Sequence, residues 1–391
     1  MRREFKNSLL ATVCIIAVLL LAAAVDLYRI LLVDNVKEAS QSNGVVKIYK
    51  EADYRQVCEI MAASGVLKNS KTFIRAAQIL NLKVKFRPGY YVFHPGMDNR
   101  EIIRTLAFGL QKPVKIVVPD NLSSLEQLSS VLAKQIDSDS ASIAALLRDS
   151  TTAARYGFTA ETFTSMFIPN TYEVYWTITP DNLLTRLFRE YEKFWKDGRD
   201  EKAALLGLTR NEVSTLASIV MRETNKQDEM PVIAGVYLNR LKKNIPLQAD
   251  PTVRCAVGDT VTRIKYSHLK FDSPYNTYLY SGLPPGPIAI PTVKSIDAVL
   301  NFLQHEYLYF CARPTFDGYH NFAKSLSAHT ANAAEYHRAL EVLLKRKKAV
   351  ADSLARVEAD SLAALAALET ATSSQEGQSQ ESPSPSQEPK R

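Results

Sequence analysis

Four cysteines are too few and too scattered for most of what cysteine does. Cys14, Cys58, Cys255 and Cys311 contain no CxxC pair and show no ligand-like spacing with the six histidines. A metal site is not expected on that basis, and no disulfide pairing follows from the spacing. Cys14 falls in an apolar run, which leaves at most three cysteines that can meet an oxidising compartment. Long basic runs are also missing. The net charge is +7, yet the clearest cluster is only "KRKK" at 345–348. Nucleic acid is therefore not an expected partner, whereas attraction to an anionic surface or polymer stays open. There is no internal repeat. From Thr370 onward no apolar residue is larger than alanine, and this tail is expected to be disordered because it cannot bury a core.

The most informative absence is of charge near the N-terminus. Between Lys6 and Asp26 lie 19 uncharged residues, including "LLATVCIIAVLLLAAAV". At about 1.5 Å per residue these span roughly 28 Å, close to a hydrocarbon core. Arg2, Arg3 and Lys6 precede the run, so the positive-inside bias places the N-terminus in the cytoplasm and the remainder outside. Ala22-Ala23-Ala24 also fits a signal-peptide cleavage site. The long apolar region and its continuation from Leu27 to Val33 favour a retained anchor, taken as a transmembrane helix over 8–32 behind a short cytoplasmic segment, 1–7.

The rest reads as an α+β protein. After a polar spacer at 34–44, a small unit at 45–110 begins with a strand, "VVKIY". A helix capped by Asp53 and Gln56 follows, then a helical linker, the strand of "PGYYVF" (88–93), and a helix opened by Asp98 and Glu101 and closed at Gly109. Residues 113–210 read as a connecting region, with a short strand at 114–119, helical stretches to about Arg155, β-formers at 167–176 and an amphipathic helix from Pro180 to about Trp195. A larger domain is placed at 111–340 with its core at 209–338. A helical extension over 331–369 leads into the tail, so that 341–391 lies outside the globular part.

One residue looks misplaced. Thr209 and Glu212 form a capping box for a helix whose stripe runs Val213, Leu216, Ala217, Val220. The next position on that stripe is Glu223. A carboxylate there loses hydration, and the C-terminal end of a helix is the wrong pole for an anion. Both effects favour the protonated form, which suits a general acid near neutral pH. A buried ion pair with Arg222, Arg240 or Arg254 is the competing reading. On the next helix, starting at Pro231, "YLNRL" carries Asn239 and Arg240, which either reach the same cleft or sit on an exposed polar face. In "LQADPTV" Asp250 precedes Pro251, the pattern of an N-cap. "SPYNTYLYSGLPPGPIAIP" (273–291) offers aromatic faces and amides suited to a sugar, although tyrosines in a β-hairpin are ordinary.

Together these segments resemble the MltG-type (YceG-like) endolytic murein transglycosylases. The resemblance runs in order through "PGYYVF", "PNTY" (169–172), "LASIVMRET" (216–224), "NRL" (239–241), "LQADPTV", "SPYNTY" with "GLPPGPI", "YLYF" (307–310), and "NF" with the later His329. It implies a single-pass inner-membrane protein with a LysM-like subdomain and a periplasmic catalytic domain that cuts inside glycan strands. It implies Glu223 as the catalytic residue, peptidoglycan and the inner membrane as partners, with peptidoglycan synthases besides, and no cofactor. Met221 stands where many relatives carry a further glutamate, Pro119-Asp120-Asn121 stands for a familiar "PEG", and Cys255 replaces a common aromatic. Gln248, Tyr275, Asn276, Asn239 and Arg240 are the expected sugar contacts. A hydrolytic muramidase with Asp250 or Asp272 as second carboxylate, and a non-catalytic peptidoglycan-binding scaffold, are the alternatives.

Overall fold

A computed structural model describes residues 2–38, 43–120, 122–258, 261 and 263–378. The chain divides into two compact units, with the boundary between Gln304 and His305. Residues 305–338, expected within the catalytic core, thus belong to the second unit. The first unit begins with one unbroken helix, α1 (Arg2–Leu31), of which Phe5–Leu31 is long and apolar enough to cross a membrane. Its apolar side chains from Phe5 to Leu21 are exposed, whereas Ile30 is buried in the core of the domain that follows.

That domain comprises β1 (Val45–Ile48), α2 (Tyr54–Ala63), α3 (Ser70–Ile79), a 3₁₀ turn at Leu82–Val84, β2 (Gly89–Val92) and α4 (Asn99–Phe108). The strands pair antiparallel, with Val45 opposite Val92 and Ile48 opposite Gly89. Both expected capping boxes are present, Asp53 with Gln56 and Asp98 with Glu101, and Gly109 ends α4 in the left-handed conformation. The polar spacer is a correction. Asp34 and Val36 make bridges to Asp98 and Leu67, Val36 is 1% exposed, and the Asn35 amide bonds Asn99 Oδ1 at 2.7 Å. Spacer residues 34–36 are therefore built into the domain, because Val36 has apolar area to bury and Asn35 finds buried amide partners. Residues 39–42 lie outside the described residues.

Residues 113–210 hold more than a connection. β3 (Pro113–Val118) pairs antiparallel over six residues with β4 (Asn170–Tyr175). Between them lie α5 (Leu125–Ala133), α6 (Ser140–Arg148) and α7 (Ser150–Arg155). α8 (Pro180–Lys196) buries Leu183, Leu184, Leu187, Tyr191 and Trp195 at helical spacing. Phe158, Phe163, Tyr191 and Trp195 form a chain of ring contacts there, so this region has a core of its own.

α9 (Arg199–Leu206) leads to α10 (Arg210–Glu223), which starts at the expected Thr209–Glu212 box. Its apolar stripe is wider than the sequence suggests. Every residue from Val213 to Val220 is buried, including Ser214, Thr215 and Ser218, because α9, α11, α12 and α13 surround it. These last three are α11 (Met230–Lys242), α12 (Asp250–Val257) and α13 (Val293–Leu300). No strand forms in 273–291, which runs as successive turns. The second unit is a hairpin, β5 (Tyr309–Ala312) with β6 (His320–Ala323), followed by α14 (Leu326–Gln378). Tyr309 stacks on His329 within it, 5.4 Å between ring centres. The helix starts before the expected 331 and continues past Thr370, since extending a formed helix is far easier than nucleating one. Residues 379–391 lie outside the described residues.

Candidate functional site

Glu223 is the last residue of α10, and its carboxyl enters a cleft of about 380 Å³. Met221, Arg222 and Asn225 share its wall. Asp250, Pro251, Arg254 and Cys255 of α12 also line it, together with Ile288. The sequence builds each part locally. Buried Ser218, five residues before Glu223 on α10, accepts a hydrogen bond from Ile288 N at 3.0 Å and fixes the proline-rich loop at the cleft. Gly286 in that loop has no room for a side chain, because a Cβ there would sit 2.1 Å from Glu161 O.

Tyr237 on α11, 1% exposed, donates its hydroxyl to Glu223 Oε1 at 2.6 Å. No cation of the described residues lies within ion-pairing distance of Glu223, which removes the competing reading of a buried salt bridge. Arg222 instead bonds Ser123 Oγ at 2.5 Å. Arg240, 6% exposed, donates to Pro246 O at 2.9 Å and Gln248 Oε1 at 2.5 Å. Burial therefore acts on Glu223 without a compensating charge. It pushes the pKa from 4.5 up to about 7; the nearby Asp250 charge adds to the rise and the Tyr237 hydrogen bond opposes it. Near neutral pH such a group exists in both forms, able to give a proton and to take one back.

Asp250 is not an N-cap. Ala249 holds the capping position without a side-chain bond, and Asp250 is the first helical residue. Its Oδ1 accepts from the Tyr278 hydroxyl at 2.7 Å, which turns the carboxylate towards the cleft instead of onto the helix end. The turn before it is tightly held. Gln248 adopts a left-handed φ of 54°, unusual for a side chain of that size, and its N–H donates to Thr277 O at 3.0 Å. Ala249 N donates to Thr277 Oγ1 at 3.0 Å, and Thr277 and Thr252 share a 2.8 Å hydroxyl contact.

The expected sugar contacts therefore separate. Gln248 is exposed, with its carbonyl held by Arg240 and its amide N–H₂ available. Tyr275 is half-buried; burial pushes its hydroxyl up to about 12, and Cys255 of the cleft is a neighbour. Asn239 is half-buried on α11. Asn276 is a different case, at 0% exposure. Its Nδ2 donates to Leu269 O and Phe271 O, and its Oδ1 accepts from Tyr278 N. It is a staple for the loop and has no surface for a sugar. Arg240 likewise braces the 246–248 turn from inside. Asp272 is exposed, accepts from Tyr280 at 2.6 Å and does not line the cleft. Tyr237 and Tyr278 were not singled out by sequence. Tyr237 lies one turn before Arg240 and one after Ile233 on the buried face of α11, which is the signal that places it inward.

The sequence profile of the YceG-like family matches residues 46–335. A curated Bacillus subtilis (strain 168) protein, an endolytic murein transglycosylase, is 27% identical over 330 residues, covering 79% of this chain and 89% of that protein. The endolytic murein transglycosylases of Streptococcus pneumoniae strains D39 and R6 are 25% identical over 327 residues; the match spans 74% of this chain and 58% of theirs. The 2.6 Å crystal structure of a yceG-like protein from Listeria monocytogenes superposes with a TM-score of 0.49 at 26% identity, covering 73% of this chain and 97% of that one.

Proposed function

This chain belongs to the YceG-like family, and from that premise we propose that it is a peptidoglycan lytic transglycosylase that cuts the β-1,4 bond between MurNAc and GlcNAc within glycan strands. The observation that carries the reading is Glu223, a cleft carboxyl poised near neutral pH that no cation of the described residues pairs with. An ordinary glycosidase needs two carboxylates around the bond, one of them a nucleophile or a base for water. Here the substrate supplies its own nucleophile. Protonated Glu223 gives its proton to the glycosidic oxygen as the bond breaks and GlcNAc leaves. The carboxylate then takes the proton of the MurNAc 6-hydroxyl as that oxygen closes on the anomeric carbon, leaving a 1,6-anhydro end and restoring the acid. Because the nucleophile is tethered, no bound water has to be positioned. Tyr237 holds the carboxyl in one orientation throughout, and Gln248, Tyr275 and Asn239 are the proposed sugar contacts.

In this reading α1 is a single-pass anchor in the inner membrane, with Arg2, Arg3 and Lys6 on the cytoplasmic side and the catalytic region in the periplasm. The β1–α4 domain serves as the LysM-like module. Cleavage of nascent strands next to the membrane would release them from synthesis, making the enzyme a terminase that works beside peptidoglycan synthases. One observation favours a second reading: Asp250 lines the same cleft and could serve a water as base, which would make the enzyme a hydrolase. Mass analysis of products from uncrosslinked strands separates the readings. Ends lighter by one water are expected; hydrated reducing ends would establish the muramidase. Binding without cleavage would establish the non-catalytic scaffold.

A further inference from the structure

α1 does not simply lead into the domain that follows it; the two are locked together. Asn99 Nδ2 donates to Ile30 O at 2.8 Å, and Ile30 is part of the domain core. Three contacts give the direction of α3 beside it. Asn69, before its first residue, accepts from Asn35; Thr72 meets the Asn99 amide at the level of Ile30; and Arg75 approaches Asp26 at 3.7 Å. α3 therefore runs back along α1, towards the apolar span. α4 starts beside α3, where Asn99 bonds Thr72, and its far end comes together with the far end of α3. A groove of about 680 Å³ brings Leu80 and Val84 against Arg104, Ala107 and Phe108. Both helices thus point their C-terminal ends the same way.

The surface at those ends is unlike the rest of a soluble face. Ile79, Val84, Phe108 and Leu110 are 52%, 72%, 69% and 56% exposed. Exposed Lys83, Lys85, Arg87 and Arg104 lie among them, and no carboxylate of the described residues pairs with any of the four. The charge-free stretch of α1 ends at Asp26, the level reached by Arg75; Ile79 lies one helical turn beyond Arg75 in the direction of that stretch. A patch of apolar side chains ringed by unpaired cations at this height matches the interface of a bilayer with anionic lipid headgroups.

We infer that the Ile79–Arg87 segment and the C-terminal end of α4 dock on the anionic lipid surface of the membrane that α1 enters, fixing the height of the domain above the bilayer. This rests on the anchoring reading above. Lipid covers the patch because α1 delivers it there at no further entropic cost, and because the cations complement phosphate headgroups.

The test uses the full chain in vesicles of phosphatidylethanolamine and brominated phosphatidylglycerol. Val84→Trp adds an exposed reporter to the native Trp176 and Trp195, both buried. Its emission should be strongly quenched by brominated lipid, whereas Leu205→Trp, at an 86% exposed site on α9, should not be. Reversing Lys83, Lys85 and Arg87 to Glu, or using phosphatidylcholine, should relieve the quenching, with about a fivefold change in the docked ratio per cation lost. Retention of the protein in vesicles after carbonate washing reports anchoring separately. An anchored protein whose Val84→Trp is quenched no more than Leu205→Trp overturns the docking while sparing the anchor. Loss on washing overturns both. Protection of Val84→Trp by soluble glycan strands in place of lipid assigns the groove to polysaccharide and also overturns the proposal.

Discussion

Set beside the Glu223 cleft, the larger cleft along α8 is the less interesting chemically. It measures about 830 Å³, lies along α8 and is lined by Arg189, Glu190, Glu192, Lys193, Lys196, Asp197 and Arg199. Each of its carboxylates is matched by a cation. Glu190 pairs with Arg186, Glu192 with Arg210 at 2.5 Å and Lys196 at 3.3 Å, and Asp197 with Arg199 at 3.7 Å. Arg199 also forks onto Asp297 and stacks on Phe194 at 4.0 Å. In the Glu223 cleft, less than half that volume, burial is left uncompensated and the proton affinity rises. What distinguishes the proposed catalytic carboxyl is therefore the lack of an ion-pair partner, and cavity size is a poor guide.

Removing the two carboxyls should separate them most widely. Glu223→Gln keeps shape and hydrogen bonding but cannot exchange a proton, so turnover should fall by at least about 10²–10⁴-fold in a glycan-cleavage assay. Glu192→Gln should leave turnover near wild type. Stability should move the other way. The folded pKa of Glu223 lies above its unfolded value, so the native state binds the extra proton. That contribution is complete below about pH 4.5 and is lost as pH rises through about 7. Glu223→Gln, always neutral, should melt higher than wild type at pH 8 and close to it at pH 4.5. Equal melting at both values would show that the carboxyl is not desolvated as described.

A smaller effect is expected from the paired cleft. Arg210 bonds Glu192 and Asp200 together, at 2.5 and 2.6 Å, beneath Tyr191 and Trp195. Its side chain is 26% exposed and those of its partners 31% and 35%, so solvent screens part of the interaction. Arg210→Met should cost about 1–2 kcal/mol in denaturant unfolding, between the ranges for surface and buried pairs, with little change in the pH profile of turnover. A displaced profile would mean the two clefts are coupled.

Much of this arrangement was legible from the sequence because it rests on local rules. Caps at Asp53, Asp98 and Thr209, the Gly109 stop and the period of α10 depend on residues within a turn of each other. Glu223 stood out for the same reason. What failed depends on distant partners. Asp250 resembled a cap because of Pro251, but Tyr278, 28 residues on, claims its carboxylate. Asn276 resembled a sugar ligand because amides suit sugars; its partners are backbone carbonyls that only the folded loop presents. The spacer at 34–36 looked solvated, since the amides that receive Asn35 lie 34 and 64 residues away.

Next in size is Tyr237→Phe. Its hydroxyl stabilises the charged form of Glu223, so its loss should raise the Glu223 pKa further and move the alkaline limb of activity to higher pH. Because in the proposed reaction the limb reports the acid that must be protonated, the direction is diagnostic. A purely structural tyrosine would lower turnover without moving the limb.

The smallest effect should come from Asp250→Asn, and its sign is opposite. Removing this charge takes away a contribution that raises the Glu223 pKa, so the alkaline limb should shift slightly to lower pH. Asparagine still accepts from Tyr278, and no cap is lost because Asp250 bonds no helical N–H; stability should therefore change little. Turnover at pH 6 should remain within about tenfold of wild type, since in the proposed lytic reaction the tethered 6-hydroxyl needs no second base. A loss beyond about 10²-fold, with folding intact, would instead assign Asp250 the role of a base for water, and the same cleft would then belong to a hydrolase.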